Sequence, residues 1–265
     1  MRERQAEKGE RFRSLHAGEP FLIPNPWDAG SAKVLEGLGF VALASSSSAL
    51  AFTLGRADGE ATLDEVAEHV RAVDAATGLP LSVDLENGYG PTPEHAARAI
   101  VRAAEAGAVG GSIEDFDPAG RLYEIGEAAE RVAAAAEAAR LLDFPFTLTA
   151  RAENHIRGNP DLDDTIARLV AFEAAGADVV YAPGLADAGQ VRAVCEATRR
   201  PVNVLARPGM RMAEVVGAGA QRISVGGSLA WTAIEAMAAA AEALRGQGDF
   251  SSLAGAARIK EWLGD

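Results

Sequence analysis

Leu81-Ser82-Val83-Asp84-Leu85, an Ala-rich stretch that begins after Thr92 and stops at Gly107, and then Ala108-Val109-Gly110-Gly111-Ser112-Ile113-Glu114 decide the fold. A short apolar run, a longer amphipathic segment and a second short run make one βα unit of a parallel sheet. Six more runs continue the pattern: Phe21 to Pro24, Phe40 to Ser45, Phe146 to Arg151, Asp178 to Ala182, Val202 to Ala206 and Gln221 to Val225. Helix starts between them are marked by Thr62 before Leu63-Asp64-Glu65, Thr92 before Pro93-Glu94, and Asp161 before a run that stops at Gly176. Gly37-Leu38-Gly39, Gly107-Ala108, Gly176-Ala177 and Gly219-Ala220 return the chain to the next strand. Eight such units predict an α/β fold, a (β/α)8 TIM barrel formed by residues 1–265 as one domain, in preference to an open doubly wound sheet. Beyond the eighth strand, Ser228 to Arg245 and Phe250 to Leu263 read as two further helices, more than barrel closure requires.

The composition suits this reading. The chain has 265 residues, 48% of them hydrophobic, enough for one full core. Its 38 acidic against 25 basic residues give a net charge of -13, which opposes binding to nucleic acid or to anionic membranes. Cys195 is the sole cysteine, so no intrachain disulfide framework and no Cys-rich zinc site is expected. With Met1 to Glu10 charged and no long apolar span, the expected location is cytoplasmic.

Catalytic groups of such barrels sit at the C-terminal ends of the strands. Here those ends are acidic: Asp84 and Glu86 after the third run, Glu114 and Asp115 after the fourth. Strand alternation would place Asp84 and Glu86 on one side, facing the mouth, with Leu85 toward the helices. Asp84, Glu86 and Glu114 are then hard oxygen donors with no Cys or His nearby, a set that selects Mg²⁺ or Mn²⁺. The competing reading is an ion-pair network with Arg151, and three carboxylates against one arginine favour the metal.

Taken in order, Asn25-Pro26-Trp27-Asp28, the turn Ser45-Ser46-Ser47-Ser48, Leu54-Gly55-Arg56-Ala57-Asp58-Gly59, Asp84-Leu85-Glu86-Asn87-Gly88-Tyr89-Gly90 and Ile113-Glu114-Asp115 resemble the motifs of the isocitrate lyase / phosphoenolpyruvate mutase superfamily. Thr149-Ala150-Arg151-Ala152-Glu153 and Pro201-Val202-Asn203-Val204 extend the match, which runs from about Phe21 to Leu229. The resemblance implies Asp84 nearest a Mg²⁺, with Glu86, where many members have aspartate, and Glu114 holding it partly through water. It implies that Ser45, Ser46 and Ser47 bind a substrate carboxylate, that Trp27 and Asp28 frame the oxo-acid end, and that Asn203 belongs to the pocket. Arg151 would face the developing enolate charge, and Asp58 would close over the substrate. It also implies a homodimer or homotetramer that exchanges its last helix between subunits, with Trp231, Ile234, Met237, Leu253, Ile259, Trp262 and Leu263 as apolar contact surface.

The chain also departs from these relatives. Members that cleave isocitrate or methylisocitrate carry Lys-x-Cys-Gly-His after strand four, where this sequence has Asp115-Phe116-Asp117-Pro118-Ala119-Gly120-Arg121-Leu122-Tyr123-Glu124. The Asn-containing gating segment of the phosphonate-processing members is missing around Asp58. The expected activity is therefore that of a Mg²⁺-dependent lyase or decarboxylase cleaving a C–C bond of a small 2-oxo or 2-hydroxy acid such as oxaloacetate, through an enolate that solvent or Tyr123 protonates. A phosphonopyruvate hydrolase or phosphoenolpyruvate mutase is the alternative among enzymes, and a non-catalytic 2-oxo-acid binding protein is the alternative outside them. Retention of Asp58 and Arg151 favours an enzyme. Gly226-Gly227-Ser228 reads as a tight turn, His69 and His95 as solvated helix residues, His155 as a polar loop residue, and Cys195 as misplaced for a nucleophile.

Overall fold

The computed structural model of the protein describes residues 2–263. All eight expected strands are present: β1 Phe21–Ile23, β2 Leu43–Ala44, β3 Leu81–Asp84, β4 Gly110–Glu114, β5 Thr147–Arg151, β6 Val179–Tyr181, β7 Val202–Leu205 and β8 Arg222–Ser224. They lie parallel in one sheet of order β1-β8-β7-β6-β5-β4-β3-β2. The two ends meet where Ala44 N–H donates to the Pro24 carbonyl at 3.0 Å and Asn25 Nδ2 donates to the Ser45 carbonyl at 3.0 Å. The result is a nearly closed (β/α)8 barrel.

The helices are α1 Arg2–Leu15, α2 Ala29–Gly37, α3 Ser47–Thr53, α4 Leu63–Ala76, α5 Pro93–Ala106, α6 Ile125–Arg140, α7 Leu162–Ala175, α8 Ala188–Ala197, α9 Met212–Gly217, α10 Ser228–Gln247 and α11 Ala257–Leu263. Their caps follow the sequence signals. Thr62 and Glu65 form a reciprocal capping box on α4, and Asp161 accepts from the Asp163 and Asp164 amides at α7. Gly107 and Gly176 end α5 and α7 in the left-handed region, with φ 114° and 106°. Thr92 precedes Pro93 as expected but makes no side-chain cap bond.

Three features differ from expectation. First, the charged N-terminus folds as α1 and brings Phe12 under the barrel, buried with Phe21, Ile23, Ala42 and Val109. Gly110 admits this, since a Cβ there would stand 2.6 Å from the Phe12 ring. Second, β3 ends at Asp84, and Glu86 takes φ +47°, so strand alternation does not place it. Leu85 still faces the helices, fully buried. Third, His69 is buried rather than solvated, because α4 turns it inward beside Val66, Val70 and Val73.

The two C-terminal helices are both present. Only Ala230 of α10 is buried, and Trp231 and Met237 are exposed. Within this chain α11 packs on α2, with Trp262 over Gly37, whose missing side chain makes the room. No helix of the described residues is long and apolar enough to cross a membrane.

Candidate active site at the barrel mouth

A cavity of about 170 Å³ opens at the C-terminal end of the strands, lined among others by Ser45–Ser48, Asp58, Asp84, Arg151 and Asn203. A second one, of about 390 Å³, adjoins it through Ser47, Asp58 and Arg151, and adds Glu86, Glu114 and Arg157. A larger cavity, of about 660 Å³, lies at the other end of the barrel beside Arg13, His16 and Asp178, and contains none of the expected site residues.

The β1, β2 and β8 ends are clamped by Asn25. Its Nδ2 holds the Ser45 carbonyl, and its Oδ1 accepts from the Val225 and Gly226 amides at 3.0 and 2.9 Å. The clamp sets the serine turn above β2. Ser45 Oγ accepts from the Asp84 amide at 2.9 Å, Ser46 caps α3, and the Ser47 amide points at Asp84 Oδ2 across 3.4 Å. An amide at a helix N-terminus facing a carboxylate is a favourable anion contact.

The acid cluster surrounds Arg151, whose Nη1 lies 3.4 Å from Asp84 Oδ2 and 3.5 Å from Glu114 Oε2, while its Nε donates to Glu153. Arg157 reaches Glu114 at 3.7 Å and Glu153 at 3.1 Å, with its guanidinium 3.9 Å above the Phe116 ring. Burial opposes the charge of Arg151, but Glu114, Glu153 and Asp84 outweigh it and hold the guanidinium protonated. Among the acids, burial and then the charges of Asp84 and Asp58 push Glu86 up to about 7. Burial also drives Glu114 well above the usual carboxylate range. Behind them Asp115, raised by burial to about 6, accepts from the Glu153 amide at 2.8 Å and pairs with Arg168 at 2.9 Å.

Among the described residues no three His, Cys, Asp or Glu side chains form a metal cage on their own. Arg151 stands between the carboxylates, so the ion-pair network is what the geometry realises. The donor set nonetheless fits Mg²⁺, which keeps several waters and needs only one or two direct carboxylates. Asp84, Glu86, Glu114 and Glu153 carry four potential negative charges against the two of Arg151 and Arg157. Glu86 and Glu114 are raised chiefly by burial, and a divalent cation beside them would favour their charged forms.

Of the expected site residues, the structure brings Ser45, Ser46, Ser47, Asp58, Asp84, Glu86, Glu114, Arg151 and Asn203 to the two cavities. Trp27 and Asp28 line neither. Asp28 caps α2, accepting from the Ser31 amide at 2.6 Å, and is exposed. Tyr123 is also elsewhere. A short hairpin, Phe116–Asp117 with Arg121–Leu122, turns its ring inward, where its hydroxyl accepts from Asn87 Nδ2 at 3.0 Å and Arg131 stacks on its face. A tyrosine that does reach the acids is Tyr89, whose hydroxyl donates to Glu86 Oε1 at 3.2 Å. Tyr89 and Glu86 both have positive φ, 59° and 47°, and such strain concentrates at functional sites. His95 is half-buried and bonded to Thr92. Cys195 is half-buried, with its thiol pushed up to about 11 by burial, which leaves it unreactive.

Residues 12–245 match the phosphoenolpyruvate phosphomutase family. The chain belongs to that family. It is 46% identical to a protein of solved structure from Burkholderia cenocepacia J2315, assigned as a lyase/mutase, with TM-score 0.96 and coverage of 99% of this chain and 98% of that one. It is 32% identical to the oxaloacetate decarboxylase of Bradyrhizobium diazoefficiens over 73% of this chain and 69% of the relative. The fold is shared with 2,3-dimethylmalate lyase, a phosphoenolpyruvate mutase/isocitrate lyase superfamily member, at TM-score 0.86 and 23% identity over 97% and 95% of the two chains. The resemblance read from the motifs therefore holds, and the family member described here is an enzyme of the lyase/mutase type.

Proposed function

We propose that this enzyme is a Mg²⁺-dependent lyase or decarboxylase that breaks a C–C bond of a small 2-oxo or 2-hydroxy acid, with oxaloacetate as the leading substrate. The observation that carries the reading is the acid cluster around Arg151, where a cavity of about 170 Å³ meets one of about 390 Å³. The name of the Bradyrhizobium relative supports the choice of substrate. Asp84 would hold the cation, with Glu86 and Glu114 contacting it through water, and bound Mg²⁺ would supply Lewis-acid charge to the oxo-acid oxygens. The Ser46 and Ser47 amides and the hydroxyls of Ser45 to Ser47 hold the substrate carboxylate, and Asn203 supports the pocket wall. As the C3–C4 bond of oxaloacetate breaks, CO2 leaves and the electron pair moves onto the C2 oxygen as an enolate. Arg151 faces that charge. C3 then takes a proton, and the product is pyruvate. Asp58, on an exposed loop at both cavities, closes the site.

The test is a screen of oxaloacetate, isocitrate, methylisocitrate and phosphonopyruvate with Mg²⁺, read as release of pyruvate or glyoxylate. Oxaloacetate is expected to react fastest. Isocitrate or methylisocitrate turned over with kcat/KM of roughly 10⁴ M⁻¹s⁻¹ or more would overturn the reading. Phosphonopyruvate as the best substrate would move it to C–P chemistry. The exposed Trp231 and Met237 on α10 support a homodimer or homotetramer, checked by light scattering.

A further inference from the structure

The interior of a (β/α)8 barrel is ordinarily filled by layers of bulky branched side chains. Here the 170 Å³ cavity descends between the small polar side chains of Ser82 on β3, Ser112 on β4 and Ser224 on β8. Its floor is Arg222, the first residue of β8, which is 5% exposed. Below Arg222 the barrel is plugged by Phe12 and its apolar neighbours.

The partners of Arg222 are all neutral. Nε donates to Asn203 Oδ1 at 2.8 Å, Nη2 to Thr149 Oγ1 at 2.9 Å, and Nη1 lies 3.2 Å from His16 Nε2. His16 Nδ1 lies 2.8 Å from the Phe12 carbonyl and must donate to it, which leaves Nε2 as the acceptor for Arg222. Burial and then the charge of Arg222 push the His16 pKa down to about 3, so the ring stays neutral. Among the described residues no carboxylate pairs with Arg222, and the ionisable group whose charge bears on it is Tyr181. Burial lowers its pKa to about 10, and it remains a cation at neutral pH. Three of its five N–H donors are used. A buried cation with spare donors and no counter-charge, at the bottom of a polar cavity, is electrostatically incomplete without an anion.

We propose that Arg222 makes the cavity floor a carboxylate subsite, which takes the distal carboxylate of a small dicarboxylic acid whose other end lies at the serine turn. This rests on the oxo-acid reading of the mouth and adds to it a selection of dicarboxylates over monocarboxylates. It also assigns Asn203 a second task, since the same side chain that donates to Ser224 Oγ at 3.0 Å fixes the Arg222 guanidinium.

Calorimetry on the full chain treated with chelator, with succinate and butyrate as probes, tests the subsite without the metal or turnover. Wild type should bind succinate about tenfold or more tightly than butyrate, the scale of one charge-assisted hydrogen bond. Arg222→Gln should lose that preference with butyrate binding unchanged, and Arg222→Lys should keep part of it. A role confined to tying α1 to the barrel would lower the melting temperature of Arg222→Gln and leave the preference intact, which overturns the proposal. If Arg222→Gln does not fold, bromide soaked into wild-type crystals decides. An anomalous peak beside Arg222 supports the subsite, and bromide bound only elsewhere overturns it. Asp84→Ala separates this proposal from the function proposed for the mouth. Succinate preference that survives in this variant keeps the subsite standing even if Asp84 proves irrelevant to metal or turnover.

Discussion

Arg151 and Arg222 are two cations in one barrel, the first partly buried and the second buried, and their surroundings are opposite. Arg151, at the mouth, is within ion-pair reach of Asp84, Glu114 and Glu153. Arg222, at the floor, is held by an amide oxygen, a hydroxyl and a neutral imidazole. The mouth therefore gathers more carboxyl groups than cations, with burial holding Glu86 and Glu114 toward their neutral forms, while the floor has a cation without a carboxylate partner. What separates the two arginines chemically is the charge of their partners. The cation proposed for the mouth and the carboxylate proposed for the floor are of opposite sign, and a metal-bound dicarboxylate would satisfy both.

The largest expected effect sharpens this contrast through catalysis. Asp84→Ala and Arg151→Ala should each lower kcat by about 10³-fold or more, the scale of losing an electrostatic group at the reacting atoms. Arg222→Gln should raise KM for oxaloacetate without lowering kcat, since Arg222 holds the C4 carboxylate in the ground state and that charge disappears as CO2 leaves. Asp84→Ala should also abolish Mg²⁺ binding in calorimetry. Unchanged Mg²⁺ affinity in that variant would remove the metal assignment. Equal kcat losses for Arg151→Ala and Arg222→Gln would erase the distinction between mouth and floor.

A smaller effect concerns stability against pH, where the two ends should slope in opposite directions. Glu86 has its folded pKa raised to about 7, chiefly by burial. Between roughly pH 4.5 and 7 the native state holds a proton that the unfolded state has released, so stability falls as pH rises through this window. His16 has its folded pKa depressed to about 3, again chiefly by burial. Between about pH 6.5 and 3 the unfolded state gains a proton that the native state refuses, so stability falls as pH drops. Each group contributes on the order of 3–5 kcal/mol at the far end of its window. Urea titrations of chelator-treated protein should show Glu86→Gln flattening the neutral limb and His16→Asn flattening the acid limb. Interchanged or identical slopes in the two variants would break the comparison.

These two ends were not equally legible in the sequence. Asp84, Glu86, Glu114 and Arg151 sit at strand ends in quotable motifs, and the barrel followed from the eight short runs. Arg222 falls at the start of a strand, where a charged residue reads as solvent-facing, and only register shows it pointing inward beside Asn203. The plug was hidden for a related reason. The helix α1 is charged along most of its length and contributes Phe12, which no periodicity argument singles out. Asp28 was assigned to the pocket from its motif, yet Ser31 three residues on gives the reciprocal capping pair that competes for it. Glu86 came to the mouth by a different route from the one alternation suggested, through a left-handed turn whose cost is not visible in residue type.

The smallest effect separates two tyrosines. Tyr123 lies in the segment after strand four where the motif resemblance implies a proton donor, but its hydroxyl is buried against Asn87 and lines neither mouth cavity. Tyr123→Phe should leave kcat within about twofold and cost about 1 kcal/mol of stability, the usual value of one hydrogen bond. Tyr89 is a positioning residue that acts through Glu86. Burial and the neighbouring acids raise its own pKa far above the usual phenol range, so it remains a donor, and its hydrogen bond lowers the pKa of Glu86. Removing that bond in Tyr89→Phe leaves burial and the Asp84 and Asp58 charges opposed by Arg151 alone, and Glu86 should then titrate above 7. The pH profile of kcat in Tyr89→Phe should move to higher pH, while the profile of Tyr123→Phe should overlay that of wild type. The reverse outcome, a shifted profile in Tyr123→Phe and an unshifted one in Tyr89→Phe, would return the proton-handling role to the segment after strand four and show that Glu86 does not titrate as part of the working site.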